Sequence, residues 1–245
     1  MAVSERIKLF ADGADLPGIA RLAADPAIRG FTTNPTLMRA AGVLDYAAFA
    51  DAAAAAVAPR PISLEVFADD FDEMHAQARL LAAFGANVYV KIPVTDTRGR
   101  STVPLIKALV AEGVRLNVTA LLTLAQVTAV RDALSGTPGS FVSVFAGRIA
   151  DTGRDPLPLM RAALEAIRPD PAIELIWASS REVYNIYQAA EIGCHIITVT
   201  ADLLRKLALE GKDLSDLSLD TVRMFRSDAV AAGYRLHTKS SDADE

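Results

Sequence analysis

Three side chains set the chemical question: Lys91, Asp12 and Glu65. Lys91 stands inside Asn87-Val88-Tyr89-Val90-Lys91-Ile92-Pro93-Val94, an apolar run with the composition of a buried strand that Pro93 closes. Burial strips hydration from an ammonium and favours the neutral amine. A neutral amine attacks carbonyls, so a lysine in such a strand is a candidate Schiff-base former. The plainer reading is a strand-end lysine that snorkels its charge into water. Asp12 follows the apolar run Ile7–Ala11, and Glu65 lies in Ile62-Ser63-Leu64-Glu65-Val66. Two carboxylates could move protons around an amine, or could simply pair with it. What decides between these readings is whether the chain brings the three together.

The elements that must do so alternate without interruption. Eight short β-branched runs are predicted as strands, starting near residues 7, 28, 62, 87, 114, 140, 173 and 195, and helical patterns separate them. The strand Val114–Thr119 and helices over Tyr46–Val57, Thr123–Leu134 and Arg181–Ile192 are examples. Eight such units in about 200–250 residues predict an α/β fold, a (β/α)8 TIM barrel. A doubly wound open sheet is the alternative, but Asp12-Gly13-Ala14-Asp15 is not the Gly-rich phosphate loop it would need. Residues 1–236 are read as a single barrel domain with an additional C-terminal helix over about 219–232. That helix has Val222, Phe225, Ala229 and Val230 at helical spacing. The polar stretch 237–245 is expected to be a disordered tail.

Chemistry in such barrels sits at the C-terminal ends of the strands. The polar residues expected there are Asp12, Asn34, Glu65, Lys91, Asn117, Thr119, Ser143 and Ser179. Any one is weak evidence, because strands usually end in polar residues. Two carboxylates, one lysine and two amides pointing into one mouth are more than an ion pair needs. Arg148 lies just beyond the sixth strand in Phe145-Ala146-Gly147-Arg148, and Arg181 just beyond the seventh in Ala178-Ser179-Ser180-Arg181, at the expected start of a helix. On adjacent loops they favour an anion site, since guanidinium groups suit phosphate or carboxylate. The plainer alternative pairs Arg148 with Asp151 and leaves Arg181 exposed.

Composition narrows the field further. About half of the 245 residues are hydrophobic, which supplies a large core, and the net charge of −5 without a Lys/Arg block argues against nucleic acid as a partner. A single cysteine, Cys194, excludes a disulfide framework, and His75, His195 and His237 lack metal-ligand spacing. No apolar run reaches membrane length, and the first residues precede no signal-type core. A soluble cytoplasmic protein without a membrane partner is the expectation.

At this point the motifs resemble a known family. Thr32-Thr33-Asn34-Pro35-Thr36-Leu37 resembles the TTNP motif of transaldolases and the related fructose-6-phosphate aldolases, and Val90-Lys91-Ile92-Pro93-Val94-Thr95 resembles their Schiff-base strand. Asn117-Val118-Thr119-Ala120, Ser143-Val144-Phe145-Ala146-Gly147-Arg148-Ile149 and Ala178-Ser179-Ser180-Arg181 match as well, so the likeness runs from Asp12 to about Asp202. The resemblance implies that Lys91 forms the Schiff base and that Asp12 takes and returns the proton of the ketose C4 hydroxyl. Glu65 and Thr119 would position a water for imine formation and hydrolysis. Thr33, Asn34, Asn117, Ser143 and Phe145 would line or contact the dihydroxyacetone pocket, and Arg148, Ser179 and Arg181 would hold a sugar phosphate. The imine serves as the electron sink, so no metal and no cofactor are implied. Phosphorylated sugars are the implied partners, with a homo-oligomer as the assembly, either a dimer or a pentamer-based ring.

Two positions divide the family. Glu65 and Phe145 resemble transaldolases, where fructose-6-phosphate aldolases typically carry Gln and Tyr. A phenol can place a proton donor near the enamine and a phenyl group cannot, so transfer to an aldose is expected, with direct aldol cleavage as the alternative. Gly13 stands where a hydroxyl residue is frequent and Ser180 where an aromatic is. These departures leave room for a specialised donor or acceptor sugar. A barrel that only binds sugar phosphates would be expected to lack Lys91, Asp12 or Glu65, and all three are present.

Overall fold

The computed structural model describes residues 3–236, so the polar stretch 237–245 lies outside the described residues. The chain divides after Arg205 into two compact units. A 3-10 turn, Val3–Glu5, precedes the barrel. In order follow β1 (Lys8–Asp12), α1 (Leu16–Ala23), β2 (Ile28–Thr32), α2 (Pro35–Ala40), α3 (Tyr46–Val57), β3 (Ile62–Glu65), α4 (Phe71–Ala82) and β4 (Val88–Pro93). Then come α5 (Val103–Ala111), β5 (Leu116–Leu121), α6 (Leu124–Ala133), β6 (Ser140–Val144), α7 (Ala146–Ala150) and α8 (Leu157–Ile167). The series ends with β7 (Ile173–Trp177), α9 (Tyr184–Glu191), β8 (Ile196–Thr200), α10 (Ala201–Leu207) and α11 (Leu214–Ala231).

The eight strands pair in sequence order, each parallel to its neighbours, and β8 closes on β1, so the expected (β/α)8 barrel is present. Register sets the site residues beside one another on neighbouring strands. Glu65 is opposite Lys91, Lys91 opposite Asn117, and Asp12 opposite both Thr32 and Thr200. Helices begin where short polar side chains can satisfy free backbone N–H groups. Asp15 accepts from Gly18 N at 2.9 Å, Asn34 from Leu37 N at 3.0 Å and Asp45 from Ala48 N at 3.0 Å, and Thr123 with Gln126 forms a capping box.

An aromatic plug fills the barrel below the strand ends. Phe10 and Phe141 meet edge to face at 5.6 Å, Tyr89 stacks on Phe141 at 4.1 Å, and Ile176, Ala178 and Ile196 pack around them. Gly30 is fixed by this plug, because a Cβ there would lie 2.5 Å from the Phe10 ring.

Several boundaries differ from the sequence reading, four of them by enough to matter. A short helix, α7, follows β6 where a loop was expected. Its N-terminal residue Phe145 offers no side-chain cap, so nothing in the sequence announces it. The helix after β7 begins at Tyr184, not Arg181, because Asn185 Oδ1 accepts from Arg181 N and Glu182 N and holds the preceding turn open. β5 runs on to Leu121 through a register shift, with Ala120 at φ +63°. α11 begins at Leu214, five residues before the expected 219, because Asp213 caps it through Ser215 N and Asp216 N. Within this helix Leu214, Val222, Met224, Phe225 and Val230 are exposed.

Candidate active site

A cavity of about 420 Å³ opens at the C-terminal ends of the strands. Asp12 from β1, Glu65 from β3, Lys91 from β4, Thr119 from β5 and Ser143 from β6 line it, together with Arg148 from α7 and Asn34, Phe145, Ser179 and Arg181 from the loops. The side chains proposed from sequence are therefore gathered in one place, except Thr33 and Asn117, which are not among the lining residues.

Lys91 is only 6% exposed. Its Nζ donates to the Thr33 carbonyl at 2.9 Å and lies 2.9 Å from Glu65 Oε2. The strand-end lysine does not snorkel; it is held as an ion pair inside the barrel mouth. Thr33 contributes its backbone oxygen to this grip, while its hydroxyl donates to the Ser63 carbonyl at 3.0 Å. A buried ammonium needs such acceptors, and a carboxylate at hydrogen-bond distance is also the nearest base for its proton. Glu65 is anchored in turn at its backbone, where the Tyr46 hydroxyl donates to its carbonyl at 2.8 Å. Burial and the neighbouring Glu65 charge push the Tyr46 phenol up.

Asp12 Oδ1 accepts from the Thr32 hydroxyl at 2.8 Å, and Thr32 Oγ1 lies 2.5 Å from Thr198 Oγ1. Burial pushes the Asp12 carboxyl above its usual range. The Lys91 charge and the Thr32 bond oppose that push, and the Glu65 charge adds to it. A carboxyl held above the ordinary range is suited to taking and returning a proton.

One layer lower, Asn117 donates to Ser63 Oγ at 2.9 Å and accepts from the Ser143 hydroxyl at 2.7 Å. Ser63 and Asn117 stand two residues before Glu65 and Thr119 on their strands, so they share the inward face one step down. Their bond crosses the barrel interior, since β4 lies between β3 and β5. Asn117 thus braces the cavity floor and the cavity-lining Ser143. Thr119 differs from all of these: its Oγ1 is buried and, among the described residues, has no hydrogen-bond partner. A buried hydroxyl with nothing to bond is costly, and one that borders a cavity has room for a water or substrate oxygen.

The two arginines are not equivalent. Arg181 Nε donates to Asp151 Oδ1 at 3.0 Å and its Nη2 to Asp151 Oδ2, a two-pronged grip. That grip is the main reason the Asp151 carboxyl sits below the usual carboxylate range. The sequence alternative gave Asp151 to Arg148; the structure gives it to Arg181. Arg148 instead lies over the Phe145 ring, 5.8 Å from its centroid. α7 and the loop after β7 are locked by close backbone packing. A Cβ on Gly147 would lie 1.7 Å from the Ser179 carbonyl oxygen, so only glycine fits there. Ser179 itself is held at φ +64°, a conformation that costs a non-glycine residue of order 1–3 kcal/mol. It and Ala120, the only described non-glycine residues with positive φ, both line the cavity.

Sequence reasoning missed Thr32, Thr198 and Thr200 in the wall, and did not assign Ser180 a place there. Thr32 stood in the TTNP-like motif without a role of its own, and for Thr198 and Thr200 the only signal was threonine in a strand, which is also ordinary strand composition. Among the described residues no cluster of His, Cys, Asp or Glu has the arrangement to hold a metal, and no helix is long and apolar enough to cross a membrane.

Comparison with known proteins follows the same lines. The family described as transaldolase/fructose-6-phosphate aldolase matches residues 9–237. A Rhodospirillum centenum protein named "Probable transaldolase" is 34% identical over 221 residues, covering 87% of this chain and 90% of that one. "Probable transaldolase 2" of Listeria monocytogenes is 32% identical over 209 residues, covering 82% and 88%. "Probable transaldolase" of Methanococcus maripaludis is 32% identical over 202 residues, covering 82% and 89%. A solved structure from Burkholderia cenocepacia J2315 superposes with a TM-score of 0.58 at 18% identity, covering 83% of this chain and 79% of that one, a likeness of fold alone.

Proposed function

This chain belongs to the transaldolase/fructose-6-phosphate aldolase family, and from that premise we propose that it moves a dihydroxyacetone unit between sugar phosphates through an imine on Lys91. The family supports transaldolase-type activity and sugar-phosphate substrates. The observation that carries the finer reading is the buried Lys91–Glu65 pair, 2.9 Å apart, on a cavity that also takes in Asp12 and the unpartnered Thr119 hydroxyl.

The steps follow from those positions. Glu65 accepts the Lys91 ammonium proton, and the freed amine attacks the ketose C2 carbonyl. A water held between Glu65 and the Thr119 hydroxyl carries the proton that lets the carbinolamine lose water, leaving a protonated imine. Asp12 takes the C4 hydroxyl proton as the C3–C4 bond breaks. The bonding electrons pass into the imine to give an enamine, and an aldose departs. The acceptor aldose then enters, the enamine forms the new bond, Asp12 returns its proton, and water releases the product by the reverse of the first steps. Asn34 and Ser143 contact hydroxyls of the three-carbon unit, with Asn117 bracing Ser143 from behind and the Thr33 carbonyl holding Lys91. Arg148, Ser179 and Arg181 take the phosphate.

Phe145 puts an apolar ring, with no transferable proton, in the cavity wall. The enamine therefore waits for an aldehyde acceptor, and the protein is a transferase. The cytoplasm and a homo-oligomeric assembly belong to the same reading, the second supported by the exposed apolar side chains of α11. The test is to mix the protein with fructose 6-phosphate and erythrose 4-phosphate. Glyceraldehyde 3-phosphate and sedoheptulose 7-phosphate are expected. Free dihydroxyacetone released at the same rate without erythrose 4-phosphate would make it an aldolase instead.

A further inference from the structure

The contacts of Thr32 leave little freedom in where its proton points. Its oxygen carries one hydrogen and has two partners, Asp12 Oδ1 at 2.8 Å and Thr198 Oγ1 at 2.5 Å. While Asp12 is a carboxylate it only accepts, so the Thr32 hydrogen goes to Asp12 and Thr198 must donate to Thr32. Once Asp12 carries a proton at Oδ1, it becomes a donor to Thr32. Thr32 then donates to Thr198, and the Thr198 hydrogen is free to turn towards the cavity that it lines. Two hydroxyls, on β2 and β8, and the carboxyl of β1 between those strands thus form a chain with two directions.

We propose that Thr198 is a positioning residue for the reaction: it sets the Thr32–Asp12 hydrogen bond, and the chain Thr198–Thr32–Asp12 reverses direction each time Asp12 takes or returns the substrate proton. The proton taken from the substrate is brought to face Thr32 by rotation of the Asp12 carboxyl; with that turn and two hydroxyl rotations the chain reverses, and no proton travels its length. The chain stabilises the Asp12 carboxylate in one direction and accepts from its acid form in the other, so both halves of the cycle find Asp12 bonded. Thr198 is held for this role. It is buried, and the Ser180 hydroxyl fixes its carbonyl from the next loop at 2.9 Å. The charged groups around Asp12 are Lys91 on β4 and Glu65 on β3, with Arg148 on α7 and Arg181 on the loop after β7 lining the same cavity. None of these bonds Thr32 or Thr198, so the hydroxyl chain can be altered without removing a charge. The inference rests on the reading of Asp12 as the base for the C4 hydroxyl.

The experiment compares Thr198→Val, Thr198→Ser and Asp12→Asn in the transfer from fructose 6-phosphate to erythrose 4-phosphate, as pH profiles of kcat and KM. Valine keeps the shape and removes the hydroxyl. Thr198→Val is expected to lower kcat about 3- to 10-fold, the worth of one hydrogen bond, with KM within twofold. The acid limb of its kcat profile should move to higher pH by about half a unit to one unit, because the carboxylate loses support. Thr198→Ser restores both. If the valine protein does not fold, Thr198→Ala takes its place with the same expectation. A profile for Thr198→Val that superposes on wild type, or a shift that serine does not restore, overturns the inference while the Asp12 reading stands. If Asp12→Asn keeps its activity and its acid limb, the Asp12 reading falls, and this inference falls with it.

Discussion

Asp151→Asn separates the grip on Arg181 from the stability of the barrel. Both side chains of this pair are about half exposed, at 50% for Asp151 and 46% for Arg181. A solvent-screened pair of this kind adds little to folding, so the substitution should leave Tm within about 4 °C of wild type. Binding is affected differently. Asp151 uses Nε and Nη2 of Arg181 and so fixes the guanidinium plane, leaving Nη1 for a ligand. Without the fork Arg181 must be ordered when substrate arrives, at about 0.5–1.5 kcal/mol for one long side chain. That corresponds to a KM increase of roughly 2- to 12-fold for erythrose 4-phosphate. An opposing effect exists, because the substitution also removes a negative charge near the phosphate. Screening at about 0.15 M salt weakens it, so the assay belongs there, and the KM increase should shrink at low salt. Unphosphorylated erythrose, compared in the same assay, should show no increase. A fall in KM for the phosphate ester at 0.15 M salt, or equal increases for both acceptors, would refute the idea that Asp151 aims Arg181 at the phosphate.

Two further substitutions probe the site. Asp12→Asn should reduce turnover by about 10²- to 10⁴-fold while raising stability by about 1 kcal/mol, or about 2–4 °C in Tm. The Asp12 carboxyl is pushed up chiefly by burial, so its ionisation costs the folded state. The penalty is absent below the unfolded carboxyl range and complete once pH has risen through the folded value. The Tm advantage of the variant should therefore grow from pH 3.5 upward and then level off; an advantage that shrinks with pH would contradict this. Gly147→Ala places a methyl 1.7 Å from the Ser179 carbonyl oxygen. Denaturant unfolding should show a loss of about 1–3 kcal/mol, with a higher KM for phosphorylated substrates, and a stability equal to wild type would mean that the loops are not packed as described.

The barrel was legible because its signal is repeated eight times. The helix Tyr46–Val57 was read to the residue, where Asp45 and the Pro59-Arg60-Pro61 break mark clear ends, and the sixth strand begins at Ser140 as expected. The missed boundaries have two kinds of cause, side chains that bond backbone a few residues away, as Asp213 does at the start of α11, and tertiary packing. Asn185 holds Arg181 and Glu182 out of α9, and α7 exists where Gly147 packs under Ser179. The charged site residues were legible because lysine, aspartate and glutamate at strand ends are chemically conspicuous. Thr32 and Thr198 were not, since threonine is also a good strand former. Asn117 was conspicuous as an amide, yet spacing alone could not tell a cavity wall from the layer beneath it. The partner of Asp151 could not be read either, because Arg148 is near in sequence while Arg181 is near in space.

The central claim is an imine on Lys91, and borohydride trapping tests it most directly. The protein is incubated with fructose 6-phosphate, reduced with sodium borohydride, digested and read by mass spectrometry. The account predicts a reduced adduct on the peptide containing Lys91, abolished in Lys91→Met and absent without sugar. An adduct on another lysine, or no adduct under conditions where sedoheptulose 7-phosphate is being formed, would contradict it.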